Sequence, residues 1–299
     1  MSFGILTLAT PGDYLKAIGL GLSARVSNPG VPTAVACSQQ VRPLVAHYFD
    51  HVVDEDASLR GFMHKLHLDR YSPFEETFFF DSDVLLFRPL NEAIAKWRGQ
   101  AYTACGGYRS DGTSSFGLYR AAAAKTLGVE ELVCIDGAGH AYFRKPDCHE
   151  VFERARTVAR DYEKYCGSAR FCDEDAMAIA MTMLGLRPMP KVEFWSRFLS
   201  GVPGTVEMDA AKGECEFELV VSPGQKQRPF MMHFAANEAP FDYTRELRRL
   251  FKRFGVSPKG LFRQAAADYV ETRVVWRGKR LIKKLIKNGR SSPPHFPPA

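Results

Sequence analysis

Two carboxylates lie one residue apart in an otherwise apolar stretch. Asp81 and Asp83 flank Ser82, between the apolar runs 78–80 and 84–87. Ionised acids at the edge of a core are unfavourable unless a partner compensates their charge. A divalent cation would do so, and oxygen ligands suit Mg²⁺ or Mn²⁺, which can in turn hold a diphosphate. The alternative is a strand followed by a polar turn, in which Asp81 caps the next element.

Strand-like and helix-like segments alternate in the part of the chain that leads to Asp81. The pattern predicts strands over 4–10, 33–37 and 51–53, a further strand that ends at Asp81, and helices over 13–26, 41–49 and 59–71. Strands that alternate with helices form mostly parallel sheets, which bind ligands at the carboxyl ends of their strands. Asp81 and Asp83 are therefore expected at the ligand-binding edge of an α/β fold.

The remainder of the chain is less regular. We predict strands over 101–107, 113–119 and 230–234, a glycine-rich approach into a strand over 136–143, and helices over 121–127, 148–162, 176–184 and 242–254. Asp173 and Glu174 open the helix over 176–184, where the positive helix end favours acids. No internal repeat or linker interrupts the chain before residue 291. We therefore expect one compact catalytic domain over 1–254 and a C-terminal extension over 255–299 that ends in a Pro-rich tail.

Four features in this order carry a resemblance to a known family. They are the Asp-x-Asp pair after the fourth strand, a helix bearing Lys65 just before it, the helix opened by Asp173 and Glu174, and a terminal Met-His-Phe strand that contains His233. The set resembles the family-8 glycosyltransferases, of the glycogenin and bacterial lipooligosaccharide galactosyltransferase type. The resemblance implies a GT-A fold, in which helices flank a mostly parallel, Rossmann-like central sheet.

The resemblance also implies roles for single residues. Asp81, Asp83 and His233 would hold the metal, and a nitrogen ligand favours Mn²⁺ over Mg²⁺. Lys65 would face the diphosphate and the donor sugar, which Asp173 and Glu174 would contact as catalytic-site residues. The nucleotide would contact the first strand and its turn, together with the serine between the aspartates: Thr7, Ala9, Thr10, Asp13, Tyr14 and Ser82.

Structural roles remain open for the same residues. The first turn can be a turn with an N-cap at Asp13, Lys65 can be a solvated helix charge, and Asp173 can cap its helix. A lone histidine among apolar neighbours is more often a hydrogen-bonded core residue than a ligand, so the case for His233 rests on its place in the ordered set.

The chain departs from the family pattern after the histidine. Relatives carry a glycine and a lysine shortly after it, whereas residues 235–240 contain neither. The diphosphate charge must then be met by the metal, Lys65 or Arg245. Relatives also carry an asparagine where this chain has Asp136 or Gly137, so sugar contacts are not assigned there.

The implied activity is transfer of a sugar from a nucleotide sugar, expected to be a UDP-sugar, to a saccharide or lipid-linked acceptor. The family retains the anomeric configuration, and no side chain of this sequence identifies itself as a nucleophile. Two rivals remain open. A haloacid-dehalogenase-type phosphohydrolase also uses Asp-x-Asp, but after its first strand, whereas three strands are predicted here before Asp81. The other rival is a non-catalytic peripheral membrane adaptor on the same fold.

Charge is concentrated at the C-terminus. The chain of 299 residues has a formal net charge of +6, and residues 273–290 contain eight Lys or Arg and no acid, which leaves the rest at −2. The body is thus near neutral, which argues against nucleic acid as a partner. Leu281, Ile282, Leu285 and Ile286 share one helical face opposite the cations, as in helices that lie on anionic membranes. The alternative is a helix that packs on the protein's own body.

The start of the sequence and its cysteines bear on location. No signal segment and no apolar stretch of about 20 residues is visible, so we expect a cytoplasmic protein, bound peripherally to the inner face of the membrane. The seven cysteines are scattered without a Cys-x-x-Cys pair, which favours free thiols in a reducing compartment.

Overall fold

The computed structural model describes residues 2–136, 139–190, 194–195, 206–219, 222–234, 240–270, 274 and 278. The strands are β1 (Phe3–Ala9), β2 (Thr33–Cys37), β3 (His51–Asp54), β4 (Glu76–Phe80), β5 (Val84–Leu86), β6 (Tyr102–Thr103), β7 (Gly106–Arg109), β8 (Leu132–Ile135), β9 (His140–Arg144), β10 (Phe194–Trp195), β11 (Glu207–Asp209), β12 (Glu214–Leu219), β13 (Ser222–Gln227) and β14 (Met231–His233). The helices are α1 (Tyr14–Ser27), α2 (Arg42–Val45), α3 (Leu68–Tyr71), α4 (Asn91–Trp97), α5 (Arg120–Leu127), α6 (Cys148–Arg160), α7 (Tyr162–Cys166), α8 (Asp173–Met183), α9 (Pro240–Phe254) and α10 (Leu261–Val270), with 3₁₀ helices at Ala46–Tyr48 and Gly61–His67.

A six-stranded sheet with the order β3-β2-β1-β4-β9-β6 forms the centre of the fold. The pairs β3–β2, β2–β1 and β1–β4 are parallel, and β9 runs antiparallel to both β4 and β6. Every residue of β2 and β4 is buried. Strands covered on both faces are typical of parallel sheets in α/β proteins, so the expected mostly parallel sheet is confirmed.

Helices cover both faces of this sheet. On one face, Phe152 of α6 and Ile179 of α8 pack with Phe79 of β4 in one apolar cluster. On the other, Ile18 of α1 and Leu250 of α9 pack in a second cluster with side chains of β1 and β2. The turn before α1, the residues that follow β4, and α9 meet at one end of the sheet: the Ser82 hydroxyl donates to Asp13, and the Tyr243 hydroxyl of α9 donates to the Ser82 carbonyl.

A smaller sheet connects the Asp-x-Asp segment to the C-terminal half of the chain. Strand β5 follows Asp83 directly and pairs antiparallel with β14, with Val84 opposite His233. The Phe234 N–H also donates to the Asp83 carbonyl at 3.0 Å. This register places the histidine beside the second aspartate, although 150 residues separate them in the sequence.

The prediction of a strand over 113–119 is wrong. This segment is a loop with one isolated bridge between Thr113 and Tyr119. Gly117 has a φ of +104°, and the N–H groups of Phe116 and Leu118 donate to the Ser114 hydroxyl rather than to a neighbouring strand. The chain therefore turns back on itself where a strand was expected.

Other local predictions need smaller corrections. The helix expected over 59–71 divides into the 3₁₀ helix Gly61–His67 and α3, and the one over 41–49 divides into α2 and a 3₁₀ turn. Tighter 3₁₀ turns are frequent in short connecting helices. Strand β8 was not predicted; it pairs with β7, which was only partly covered by the strand expected over 101–107.

The C-terminal part of the described chain packs on the main body. Leu261 of α10 belongs to the buried cluster that contains α1 and α9, Ala265 is also buried, and Lys16 of α1 lies 3.0 Å from Asp268. The basic amphipathic segment expected over 273–290 lies outside the described residues, apart from Val274 and Gly278. None of the helices in the described ranges is both long and apolar enough to cross a bilayer.

Candidate nucleotide-sugar and metal site

The turn between β4 and β5 holds both aspartates at the carboxyl end of β4. The Asp81 N–H donates to the Gly139 carbonyl at 2.7 Å, and the Val84 N–H donates back to the Asp81 carbonyl at 3.1 Å. These two bonds fix the turn against the start of β9. The apolar run before Asp81 buries the strand, and the polar turn then places two carboxylates at the edge of the sheet.

His233 lies beside these carboxylates because of the pairing of β14 with β5. Its Nε2 is 2.9 Å from Asp83 Oδ1 and 3.8 Å from Asp81 Oδ2. Burial opposes the charge of the imidazole, but the two carboxylates outweigh it and raise the pKa of His233. Burial would raise the pKa of Asp83, yet the charge of His233 and the hydrogen bond that it donates lower it to about 2.

The three side chains form a donor set that fits a divalent cation. One potential ligand atom from each of Asp81, Asp83 and His233 lies within 4.8 Å of the other two. Two carboxylates and one imidazole suit Mn²⁺, and with added oxygen ligands also Mg²⁺. The spacing is short enough for one ion to reach all three residues after small side-chain adjustments.

Lys65 stands between the Asp-x-Asp turn and the start of α8. Its Nζ is 2.7 Å from Asp81 Oδ1 and 3.7 Å from Asp173 Oδ2. Burial opposes its charge, but the carboxylates of Asp173 and Asp81 outweigh burial and raise the pKa of Lys65, so the amine stays protonated. Arg245 instead pairs with Asp242 at 2.9 Å and Glu246 at 3.1 Å. Among the lysines and arginines that the structure describes, Lys65 therefore pairs with Asp81, and Arg245 does not.

Asp173 and Glu174 lie at the N-terminus of α8, facing Lys65. Burial raises the pKa of Asp173, with Lys65 acting in the opposite direction. Burial, and then the neighbouring Asp173 charge, raise the pKa of Glu174 to about 7. Both acids line a cavity of about 30 Å³ together with Lys65, Tyr102 and His140.

The residues expected to contact the nucleotide fall into two groups. Thr10, Asp13 and Ser82 are joined by hydrogen bonds: the Thr10 N–H donates to Asp13 Oδ1 at 2.5 Å, and the Ser82 hydroxyl donates to Asp13 Oδ2 at 3.3 Å. Asp13 occupies the N-cap position of α1, but its carboxylate bonds backwards to Thr10 rather than to the helix. Burial raises the pKa of Asp13.

The second group lies deeper. Thr7 and Ala9 are buried, and the Ala9 methyl belongs to the core cluster beside α1. Tyr14, the first residue of α1, is half-buried next to Asp13.

Three residues of this site were not singled out from the sequence. Gly139 provides the carbonyl for Asp81, and a Cβ built on it would lie 2.5 Å from the His233 ring. The Tyr243 hydroxyl of α9 donates to the Ser82 carbonyl at 3.4 Å, and Tyr102 lines the cavity beside Asp173. The glycine-rich pattern over 136–139 was the one available signal; the tyrosines reach the site through long-range packing that no local pattern reveals.

The central sheet, its flanking helices and the acidic pair at the end of β4 define the GT-A class of fold, as the resemblance implied. Among solved structures, an active-site mutant of LgtC aligns over 88% of this chain and 99% of its own, with 13% identity and a TM-score of 0.54. The galactosyltransferase LgtC with donor and acceptor sugar analogs aligns over 64% and 75%, with 15% identity and a TM-score of 0.46. The bifunctional glycosyltransferase WbbM aligns over 84% and 51%, with 12% identity and a TM-score of 0.49.

The first of these alignments spans nearly the whole of both chains and establishes the shared fold. At this level of identity it establishes the fold alone. Searches against protein-family models and against curated proteins return no match.

Proposed function

We propose that this protein is a metal-dependent glycosyltransferase that moves a sugar from a nucleotide sugar, a UDP-sugar, to a saccharide or lipid-linked acceptor. One observation carries the proposal. Five polar side chains from four separate parts of the chain, Lys65, Asp81, Asp83, Asp173 and His233, meet at the carboxyl edge of the sheet. Polar groups at this edge of an α/β sheet are where ligands bind.

Asp81, Asp83 and His233 would hold Mn²⁺ or Mg²⁺. A bound cation supplies positive charge for the nucleoside diphosphate that departs when the bond between sugar and phosphate breaks. Lys65 adds a fixed ammonium group on the Asp173 side of this site. Because no lysine follows His233 as it does in the family, Lys65 is the side chain that we assign to the diphosphate.

Nucleotide and sugar are assigned to opposite sides of Asp81. The turn formed by Thr10, Asp13 and Ser82, with Tyr14 and the backbone of Thr7 and Ala9, would bind the base and ribose. Asp173 would accept hydrogen bonds from hydroxyls of the donor sugar. Glu174, with a pKa of about 7, exists in both protonation states near neutral pH and can donate or accept a hydrogen bond beside it.

A thermal-shift experiment tests the proposal. The protein is heated with UDP or UDP-sugars, with and without Mn²⁺; a ligand at about 100 times its Kd adds about 2.7 kcal/mol of stability. We expect a shift with nucleotide and Mn²⁺ together, which Asp83→Asn abolishes and the exposed control Asp111→Asn retains. A folded protein that gains no metal-dependent stability from any nucleotide would exclude the transferase and favour a non-catalytic adaptor.

We also infer that transfer retains the anomeric configuration, because the family to which the motifs point does so. No side chain is assigned as a nucleophile, and the departing phosphate would help to deprotonate the acceptor. NMR of the first-formed product tests this; an inverted anomeric signal would exclude retention while leaving the transferase assignment intact.

The remaining assignments concern the chain's organisation. We assign the catalytic unit to residues 1–254 and a membrane-directed role to the basic segment 273–290, at the inner face of the membrane. Deleting residues 273–299 is expected to weaken co-sedimentation with anionic vesicles, because each cation near such a surface contributes about 1 kcal/mol. Unchanged co-sedimentation would remove the tail from this account.

A further inference from the structure

An open, mainly apolar groove of about 890 Å³ runs between α9 and α10. Phe241 and Phe262 stand at its borders with 69% and 85% of their surfaces exposed, the two highest values among the large hydrophobic residues that the structure describes as exposed. Tyr269 and Val270 add further exposed apolar surface, and the rings of Phe241 and Tyr269 lie 5.6 Å apart. An exposed apolar surface of this kind marks an interaction site.

The charged residues that the structure describes along the groove all carry the same sign. Arg245, Arg248, Arg249 and Lys252 line it, and no acidic residue is among its described lining residues. Arg245 and Arg249 are neutralised by Glu246 at 3.1 and 2.8 Å. Within the described ranges, Arg248 and Lys252 pair with no carboxylate. Two cations without a carboxylate partner in the described part of the chain therefore lie beside an apolar surface that includes two exposed phenylalanines.

We propose that this groove, here called the docking face (Phe241, Arg248, Lys252, Phe262, Tyr269 and Val270), binds the surface of an anionic phospholipid bilayer. Aromatic side chains enter the interface between headgroups and acyl chains, and cations beside them contact the lipid phosphates. Charge distinguishes an anionic surface from the chain's own tail as the occupant of the groove. The chain's own tail carries eight cations and no acid over 273–290, so it has the same sign as the groove. An anionic surface is complementary to both.

Helix α9 links the docking face to the metal site. Tyr243, on another side of α9, is buried, stacks on Phe234 with ring centroids 4.6 Å apart, and donates to the Ser82 carbonyl. One helix, about 10 Å across, thus contacts the Asp-x-Asp turn on one side and presents the docking face on another. Resting on the proposed function, this arrangement holds the transferase site close to the headgroups, where a lipid-linked saccharide would be presented.

Vesicle co-sedimentation of the full chain tests the docking face. The vesicles are phosphatidylcholine alone, or phosphatidylcholine and phosphatidylglycerol in equal amounts. Since each cation near an anionic surface contributes about fivefold in affinity, losing two should weaken binding about 30-fold, and reversing them should weaken it further. We therefore expect Arg248→Glu with Lys252→Glu to lose at least this factor on the anionic vesicles. Phe241→Ser with Phe262→Ser should weaken binding as well.

Matched controls carry similar changes elsewhere. Tyr119→Ser removes another exposed aromatic residue, and Arg160→Glu reverses another exposed cation; both should bind as the unchanged protein does. Phe262→Trp adds a second readout, because the fluorescence of the introduced indole should be quenched by brominated lipid in anionic vesicles. Docking-face variants that bind like the controls, or an indole signal that brominated lipid leaves unchanged, would overturn the proposal.

The outcome is separable from that of the transferase assignment. Stabilisation by UDP with Mn²⁺ should persist in the docking-face variants, because none of their substitutions touches the metal site. Loss of vesicle binding with retained nucleotide binding supports the docking face. The proposal would be overturned if the docking-face variants bound vesicles as well as wild type does, and bound an acidic amphipathic peptide as well as wild type does.

Discussion

Replacing Gly139 with alanine should weaken metal binding without removing a ligand. Gly139 lies immediately before β9, next to the His233 ring. A Cβ built there would be 2.5 Å from both Cε1 and Nδ1 of His233 and 2.8 Å from Nε2. Favourable contacts between carbon atoms lie near 3.5 Å, so one partner must move by about 1 Å.

Neither partner can yield without consequence for the site. The Gly139 carbonyl accepts the Asp81 N–H at 2.7 Å, so a shift of the glycine pulls on the turn that carries both aspartates. A shift of the ring moves Nε2 relative to Asp83, whereas metal ligand distances tolerate only about 0.2 Å. We expect Mn²⁺ affinity to fall by about 10- to 100-fold, the loss typical of residues that orient ligands.

Isothermal titration of Mn²⁺ in the presence of UDP measures this effect. Gly107→Ala is the matched control, because a Cβ there meets no atom within 4 Å and should leave the affinity unchanged. Circular dichroism should show both variants folded. A folded Gly139→Ala protein with unaltered Mn²⁺ affinity would refute the placement of His233 in the metal site.

Three further predictions concern the charges around the site. Lys65→Met should lower the free energy of unfolding by about 3 kcal/mol in metal-free denaturant titrations, because Asp81 and Asp173 lose their shared cation. Glu174→Gln should remove a pH dependence: burial raises the Glu174 pKa from 4.5 to about 7, so the native protein binds more protons and loses stability as pH rises between these values. The Gln variant should therefore be more stable than wild type at pH 8, by at most about 3 kcal/mol, and equal to it below pH 4 in thermal unfolding. Arg156→Met should destabilise by about 3–5 kcal/mol, because Asp69, only 2% exposed, loses its buried guanidinium partner; the exposed neighbour change Arg160→Met should stay within about 0.5 kcal/mol.

Local patterns were sufficient for the elements that bury continuous or periodic apolar surface. Strand β4 was predicted up to Asp81 from the apolar run 78–80, and all five of its residues are buried. Helices α6 and α9 followed from helical spacing, and α8 from the acids that open it. The segment 113–119 shows the limit of this reasoning. Its residues predicted a strand, but Gly117 and the Ser114 hydroxyl redirect its backbone hydrogen bonds, and neither effect is visible in the order of apolar and polar residues.

The site divides in the same way. Asp81 and Asp83 could be proposed from the free energy needed to bury ionised carboxylates, because acids that follow a buried strand need a compensating partner. His233 could not, since the pairing of β5 with β14 that brings it to Asp83 joins segments far apart in the sequence. The resemblance supplied that link. Gly139 and Tyr243 were missed because a carbonyl acceptor and a hydroxyl donor act here through contacts that depend on the finished packing.

The free energy of burying Asp81 and Asp83 does not by itself call for a metal ion. Each carboxylate already has a cation from the chain: Lys65 lies 2.7 Å from Asp81, and His233 lies 2.9 Å from Asp83. Burial of the two acids is therefore compensated within the protein and does not by itself require a metal. The stronger argument is that His233 is both a cation for Asp83 and, once neutral, a nitrogen ligand. If the group serves only stability, Asp83→Asn lowers the unfolding free energy equally with and without Mn²⁺. If it is a metal site, the same substitution also abolishes stabilisation by Mn²⁺, and this difference between the two conditions decides the question.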